Sequence, residues 1–201
     1  MWRGVALGLT AVALASAFAV GRSEAALSTG VRHAVHVELA RVSKPASRAG
    51  SRSGARAAMA QLESAVVDRM NEIRRGRGLR PLRSNGRLRA AAIFHSRDMG
   101  RRGYFEHDSL GGTPFWRRIE RFYPSRGFGS WTVGENLLWG SDTFGASFAV
   151  REWMQSPPHR QNILSRSWRE VGIGAVYFAR AAGEYGGRPV TIVTADFGSR
   201  H

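Results

Sequence analysis

The chain has 201 residues, of which 43% are hydrophobic, and its formal net charge is +15, with 29 arginines and one lysine against 15 acidic side chains. It has no cysteine, which excludes disulfides, thiolate metal sites and cysteine nucleophiles. The length suits one domain of ordinary size with extensions, and the hydrophobic fraction is sufficient for a packed core.

The first 26 residues have the order of a secretory signal peptide. A short, weakly positive start is followed by residues 4–20, which carry no charge. As a helix this run would span roughly 25 Å at about 1.5 Å per residue, which is less than the ~30 Å hydrocarbon core of a bilayer. We therefore expect residues 1–26 to be a cleaved signal peptide, with an N-terminal membrane anchor as the alternative. In either case the rest of the chain is expected to be secreted or to face outside the cell.

Residues 27–58 are rich in Ala, Ser, Gly and Arg and lack apolar periodicity, which predicts a disordered basic linker. Residues 1–58 carry 8 basic and 2 acidic side chains, whereas residues 59–201 carry 22 and 13. Nucleic acid is the usual partner of such a segment. Outside the cell we instead expect anionic lipid headgroups, wall phosphate polymers or solvent alone.

The folded domain is expected over residues 59–201. Apolar residues at helical spacing predict a helix that begins near Met59 and ends at two glycines, and a second helix over residues 86–102. A loop then leads to a short helix with Thr113 as N-cap and Pro114 as its first residue.

The second half of the domain alternates strands and helices. The stretch GENLLWG predicts a strand, and helices follow over about 143–155 and 158–164, the latter opened by Ser156 and Pro157. Two strands, at about 170–179 and 190–197, close the chain around a glycine-rich turn. This order predicts an α+β layered domain with a largely antiparallel sheet.

One carboxylate lies inside the predicted strand GENLLWG. Strand alternation places Glu135 on the same face as Val133, Leu137 and Trp139. An ionised carboxylate among apolar side chains is costly unless another group pairs with it. The pattern therefore predicts a partner for Glu135 without identifying it.

Five sequence blocks resemble the bacterial branch of the CAP domains, a superfamily of cysteine-rich secretory, antigen 5 and pathogenesis-related 1 proteins that is also called SCP. In chain order the blocks are FEHDSLGGTPFWRRI, VGENLLWG, EWMQSPPHRQNIL, SWREVGIGAVY and TADFG. With the upstream stretch VDRMNEIRRGRGLRPLRSNGRLRAAAIFHSRDM, the resemblance covers roughly residues 62–198. It implies a three-layer α-β-α sandwich with a largely antiparallel central sheet and a cleft lined by a histidine, a glutamate and a second histidine.

Residue by residue, the resemblance assigns the cleft to His107, Glu135 and His159. Eukaryotic relatives have a second glutamate where this chain has Ser156, so the four-residue cluster is incomplete. Glu152 lies one helical turn before Ser156 and is a candidate for the same region.

The two cleft histidines are candidate ligands for zinc or another divalent cation. We expect His159 near the N-terminus of a short helix, where the macrodipole disfavours imidazolium, and a neutral imidazole can coordinate a metal. Against this, the 52-residue separation of His107 and His159 matches no local metal motif. The alternative is a His–Glu–His hydrogen-bond network that ties loops to the sheet.

Other polar and glycine positions are expected to be architectural. His95 lies on the apolar stripe of the second helix, where a core histidine is more common than a ligand. Asn136 is expected to bond to backbone, and Gly172 and Gly174 to permit close packing of a strand.

Three function classes remain open. The first is an extracellular binding module for a lipid-like, protein or envelope ligand. The second is a metal-dependent hydrolase with His107 and His159 as ligands and Glu135 as general base. The third is a structural envelope protein. Because a hydrolase would need a third protein ligand or a second carboxylate, we expect binding rather than catalysis, and no nucleic-acid partner.

Overall fold

The computed structural model describes residues 48–201, in which helices cover both faces of a four-stranded sheet. The helices are α1 (Arg48–Arg75), α2 (Gly86–Arg102), α3 (Phe115–Phe122), α4 (Ala146–Gln155) and α5 (Pro157–Leu164). The strands are β1 (Arg83–Ser84), β2 (Trp131–Ser141), β3 (Glu170–Ala181) and β4 (Arg188–Arg200). The predicted signal peptide and residues 27–47 of the predicted linker lie outside the described residues.

The sheet has the strand order β1-β3-β4-β2. β3 and β4 form the predicted antiparallel hairpin across a 3₁₀ turn at Gly183–Tyr185, and β2 pairs antiparallel with the other side of β4. The two-residue β1 runs parallel to the start of β3. The prediction of a largely antiparallel sheet is confirmed, and β2 lies at one edge of the sheet.

The helices form two layers, one on each face of the sheet. α1, α4 and α5 cover one face and bury the largest core cluster, in which Trp153 is fully buried. α2 and α3 cover the other face and bury two smaller clusters around Leu88 and Met99. The predicted three-layer α-β-α sandwich is therefore confirmed. No helix in residues 48–201 is long and apolar enough to cross a membrane.

Two glycines allow α2 to lie directly on β3. A Cβ on Gly172 would be 2.0 Å from the backbone nitrogen of Arg89, and one on Gly174 would be 2.2 Å from that of Ile93. Both distances are far shorter than any non-bonded contact. The prediction that these glycines serve close packing is thus confirmed.

The first helix begins earlier than the sequence pattern predicted. α1 starts at Arg48, so residues 48–58 are helical in the structure and not part of a disordered linker. The side chains of residues 53–58 are exposed, and burial along α1 starts with Leu62, Glu63 and Val66. Alanine and arginine favour helix, and a helix nucleated by packing extends easily through such a segment.

The start of α3 also differs from the prediction. Pro114, not Thr113, occupies the N-cap position, and Phe115 is the first helical residue. Thr113 instead pairs with Ser109 in a short β-bridge. The orphan N–H of Phe115 donates to the Asp108 carboxylate at 3.0 Å, so the cap comes from a residue six positions before the N-cap.

α4 and α5 begin close to their predicted positions. α4 starts at Ala146 rather than 143, because the chain first turns through Asp142, which has a positive φ and donates its N–H to the Pro189 carbonyl. α5 starts at Pro157, one residue early, after Ser156 in the N-cap position. The hydroxyl of Ser156 makes no capping hydrogen bond.

Candidate functional site

The partner of Glu135 is an arginine on the helix layer that covers the same face of the sheet. Glu135 lies near the middle of β2 on the face covered by α2 and α3, and Arg118 of α3 donates from Nη2 to its Oε2. Arg118 is 1% exposed, and its Nη1 also donates to the His107 carbonyl at 2.8 Å. This buried ion pair and the additional hydrogen bond offset the desolvation free energy of a carboxylate placed among apolar side chains.

His107 forms a hydrogen bond with the other carboxylate oxygen of Glu135. Its Nδ1 lies 2.8 Å from Oε1, and because a carboxylate accepts, Nδ1–H is the donor. The tautomer fixed by this bond leaves Nε2 available, and 14% of the side chain is exposed. The predicted contact between these two cleft residues is thus present in the structure.

Opposing influences act on the pKa of Glu135. Burial raises it, but the charge of Arg118, together with His95 and His107, lowers it to about 2. Glu135 is therefore ionised throughout the physiological range, and both of its oxygens are engaged.

A second buried carboxyl group lies beside Glu135 on the neighbouring strand β4. Asp196 on β4 is the register partner of Glu135, and burial together with the Glu135 charge raises its pKa well above the usual range. Neither oxygen of Asp196 has a hydrogen-bond partner among residues 48–201. The Asp196 carboxyl consequently favours its neutral form.

His95 completes the buried side of the cluster. Its ring is inaccessible to solvent, as predicted for a core histidine, and its Nε2–H donates to the Glu106 carbonyl at 2.9 Å. The same nitrogen lies 4.0 Å from Glu135 Oε1. Burial lowers the pKa of His95 to about 4, so the ring is neutral at physiological pH.

His159 approaches the cluster from α5. Burial lowers its pKa to about 4, and positive charge on His107 adds to the effect. The predicted neutral imidazole is supported, although burial is the leading cause. Asn136 donates to the His159 carbonyl at 3.0 Å and accepts from Asn162 at 2.8 Å, which ties α5 to β2 and confirms the predicted role of Asn136.

The other two predicted cleft residues lie apart from these contacts. Glu152 is 3.4 Å from the Nε atom of its neighbour Arg151, and its carboxylate has no hydrogen bond to His107, Glu135 or His159 in the described part of the chain. Ser156 serves as the N-cap position of α5. Neither supplies the carboxylate that the incomplete cluster lacks.

The residues at this site do not fit a metal centre. Residues 48–201 contain no group of three or more His, Cys, Asp or Glu side chains placed to hold an ion. The oxygens of Glu135 are taken by Arg118 and His107, and the fully buried His95 bonds through Nε2 to the Glu106 carbonyl. This leaves His107 and His159 as accessible imidazoles, where zinc sites use three or four protein ligands. The fixed positive charge of Arg118 further opposes a cation.

Arg118 and Asp196 are not among the predicted site residues. The signal for Arg118 was present, since it stands between Phe115 and Ile119 on the apolar side of α3, where an arginine is buried only if something pairs with it. For Asp196 the signal is its position two residues after Thr194 and four after Ile192, which places all three on one face of the predicted strand. Ile192 and Thr194 are buried in the structure.

Comparisons with known proteins agree on one family. A model described as the cysteine-rich secretory protein family, CAP, matches residues 67–197. An uncharacterized protein of Bacillus subtilis (strain 168), YkwD, is 33% identical over 132 residues, covering 65% of this chain and 49% of that protein. The chain thus spans about half the length of this curated relative.

Two solved structures are similar. An extracellular protein with an SCP domain from Bacillus anthracis (strain Ames) is 26% identical with a TM-score of 0.54, covering 77% of this chain and 44% of that one. An outer surface protein of Borrelia burgdorferi is 21% identical with a TM-score of 0.52, covering 68% and 90%. The second likeness shows the fold alone.

Proposed function

Because the chain belongs to the CAP family of cysteine-rich secretory proteins, in its bacterial branch, we propose that it is an extracellular binding module rather than a hydrolase. The observation that carries the proposal is the full engagement of Glu135 by Arg118 and His107. The similar Bacillus anthracis protein, which is described as extracellular, supports the location.

The state of Glu135 argues against hydrolysis. A general base works best when its pKa lies near the working pH, and a carboxylate with a pKa of about 2 is a weak base. Each of its two oxygens also accepts a hydrogen bond, one from His107 and one from Arg118. The alternative of a metal-dependent hydrolase using His107, Glu135 and His159 therefore lacks both its base and its third ligand.

The groups that remain available are suited to binding a neutral polar ligand. The charges of Glu135 and Arg118 compensate each other, and His159 is neutral at physiological pH. The cleft then offers Nε2 of His107 and the His159 ring as hydrogen-bonding groups. A hydroxyl or amide of an envelope component or of a protein has the matching chemistry.

Native mass spectrometry of protein recovered from its own host tests the proposal. We expect a co-purifying ligand that is lost in His107→Ala and in His159→Ala but kept in His201→Ala, which removes a histidine at the C-terminus. Turnover of an ester or amide that Glu135→Gln abolishes would overturn the binding proposal. Absence of any ligand in wild-type protein would favour the structural envelope role instead.

Extracellular location has its own test. Protein from the culture medium should begin near Ala26, because residues 1–25 would have been removed as a signal peptide. Recovery of the chain in the membrane fraction with Met1 intact would contradict cleavage and favour an N-terminal anchor.

A further inference from the structure

A concave surface lies between α1 and α2, away from His107, Glu135 and His159, the residues of the predicted histidine cleft. Glu135 is on β2 at one edge of the sheet, whereas this surface follows β3 near the opposite edge. It encloses about 510 Å³, within the range of ligand pockets. We call it the α1–α2 groove, and its lining includes Arg56, Met59, Glu63, Arg89, Ile93, Phe94, Arg97, Asp98, Arg101 and Phe122.

The groove has an apolar floor that the fold leaves uncovered. Phe94 is 43% exposed, and its ring lies 5.7 Å from that of Phe122, centroid to centroid. Met59 and Ile93 beside them are half-buried. Met59 and Phe122 also pack against the core clusters of the domain, whereas Phe94 remains exposed beyond them. The apolar surface left exposed around Phe94 marks an interaction site.

The rim of the groove is positively charged. The two carboxylates in the lining are already paired: Glu63 with Arg89 at 2.6 Å, and Asp98 with the Tyr104 hydroxyl at 2.6 Å. The three other arginines of the lining have no ion pair within residues 48–201; they are Arg56, Arg97 and Arg101. Arg97 and Arg101 are one helical turn apart on the same face as Phe94.

We propose that the α1–α2 groove docks the domain on a membrane of anionic phospholipid. An exposed aromatic side chain beside several arginines on helices is the combination that binds at the bilayer interface, where the ring enters the acyl region and the guanidinium groups bind phosphate. The groove and the histidine cleft are therefore separate binding surfaces.

An extended peptide is a poorer occupant of the same groove. A peptide strand would have to pair with the outer edge of β3, beyond the two residues that pair with β1. Glu63 already accepts the Ala175 N–H at 3.0 Å, which removes a donor that such a strand would need. The floor then remains for acyl chains and the rim for phosphate.

Vesicle co-sedimentation tests the proposal. The purified chain is mixed with vesicles of phosphatidylcholine alone or of equal parts phosphatidylcholine and phosphatidylglycerol, and the difference in affinity is the readout. We expect Arg97→Gln/Arg101→Gln to weaken binding to the anionic vesicles about 25-fold, at about fivefold per arginine. Phe94→Ser should weaken it while leaving its salt dependence unchanged.

A matched control separates this groove from general positive charge. Arg75→Gln/Arg166→Gln removes two exposed charges near the other end of α1. An equal loss in this control, or no preference of the wild type for anionic vesicles, would overturn the proposal. Binding to soluble polyglutamate but not to vesicles would overturn the proposal and indicate an acidic protein partner for the groove. Binding of glycerol phosphate without any vesicle binding would also overturn it and indicate a site for phosphate alone. Circular dichroism melting confirms that each exposed-residue variant is folded.

Discussion

Replacing Arg118 with methionine removes the counter-charge of Glu135 and keeps an apolar side chain of similar length on α3. The Glu135 side chain is fully buried, so in this variant the Glu135 carboxylate would have neither solvent nor a guanidinium to compensate its charge. Breaking a buried pair at one end typically costs about 3–5 kcal/mol of unfolding free energy. We expect Arg118→Met to lose stability in that range at pH 7.

The lowered pKa of Glu135 gives the pH range over which its ionised form stabilises the fold. Its pKa falls from an unperturbed 4.5 to about 2, and one unit corresponds to about 1.4 kcal/mol, so the environment favours the ionised form by about 3 kcal/mol. The sign follows from a depressed folded-state pKa: this stabilisation is present above pH 4.5 and is lost as pH falls toward 2.

A double-mutant cycle isolates the pair from other effects of each substitution. Glu135→Gln leaves Arg118 buried without a counter-charge, whereas Arg118→Met/Glu135→Gln removes both charges. Because a buried pair replaced as a whole is often neutral in stability, the double variant should be more stable than Arg118→Met alone. Urea unfolding followed by tryptophan fluorescence measures all four proteins, and Trp153 is a fully buried reporter.

The control for this cycle is on the same helix. Arg121 is exposed, and Arg121→Met should change stability by no more than about 0.5 kcal/mol. If Arg118→Met cost as little as the control, or if the two single losses simply added in the double variant, the ion pair would not be what compensates the buried carboxylate.

Three further predictions concern packing, pH and metal. Gly174→Ala should cost at least about 3 kcal/mol in urea unfolding, because its Cβ would meet the α2 backbone at 2.2 Å, whereas Gly54→Ala, with nothing within 4 Å, should not destabilise. The melting temperature should fall as pH drops from 6.5 toward 4, since the buried rings of His95 and His159 take up protons more readily when unfolded; His159→Gln should flatten this slope. Zinc in excess at pH 7.5 should leave the melting temperature unchanged, whereas a site at hundredfold saturation would add about 2.7 kcal/mol.

Local signals determined which parts of the fold were predictable. The bounds of α2 match the prediction because both ends carry side-chain information: Asn85 accepts the N–H groups of Arg87 and Leu88, and Gly103 ends the helix at φ 72°. The start of α1 has no such signal. Its Ala- and Arg-rich segment is compatible with helix and with linker alike, and packing further along the helix decides between them.

The candidate site was predictable in part for the same reason. Strand alternation and the family resemblance identified Glu135 and His107, which contact each other in the structure. Arg118 and Asp196 reach Glu135 from a different helix and a neighbouring strand, and no sequence period connects residues on separate elements. The buried position of Arg118 on an apolar helix face was the one local clue.

The presence of Arg118 constrains what the cleft can do. A carboxylate buried beside imidazoles needs one positive charge, and either a metal ion or a guanidinium can supply it. In this chain Arg118 supplies that charge from a buried position that is also fixed by the His107 carbonyl, and the neutral form favoured at Asp196 leaves no further negative charge to balance. A divalent ion would therefore add uncompensated charge to a low-dielectric site. His107 and His159 are then left to act through hydrogen bonds, which is why a neutral polar ligand suits this cleft better than a cation.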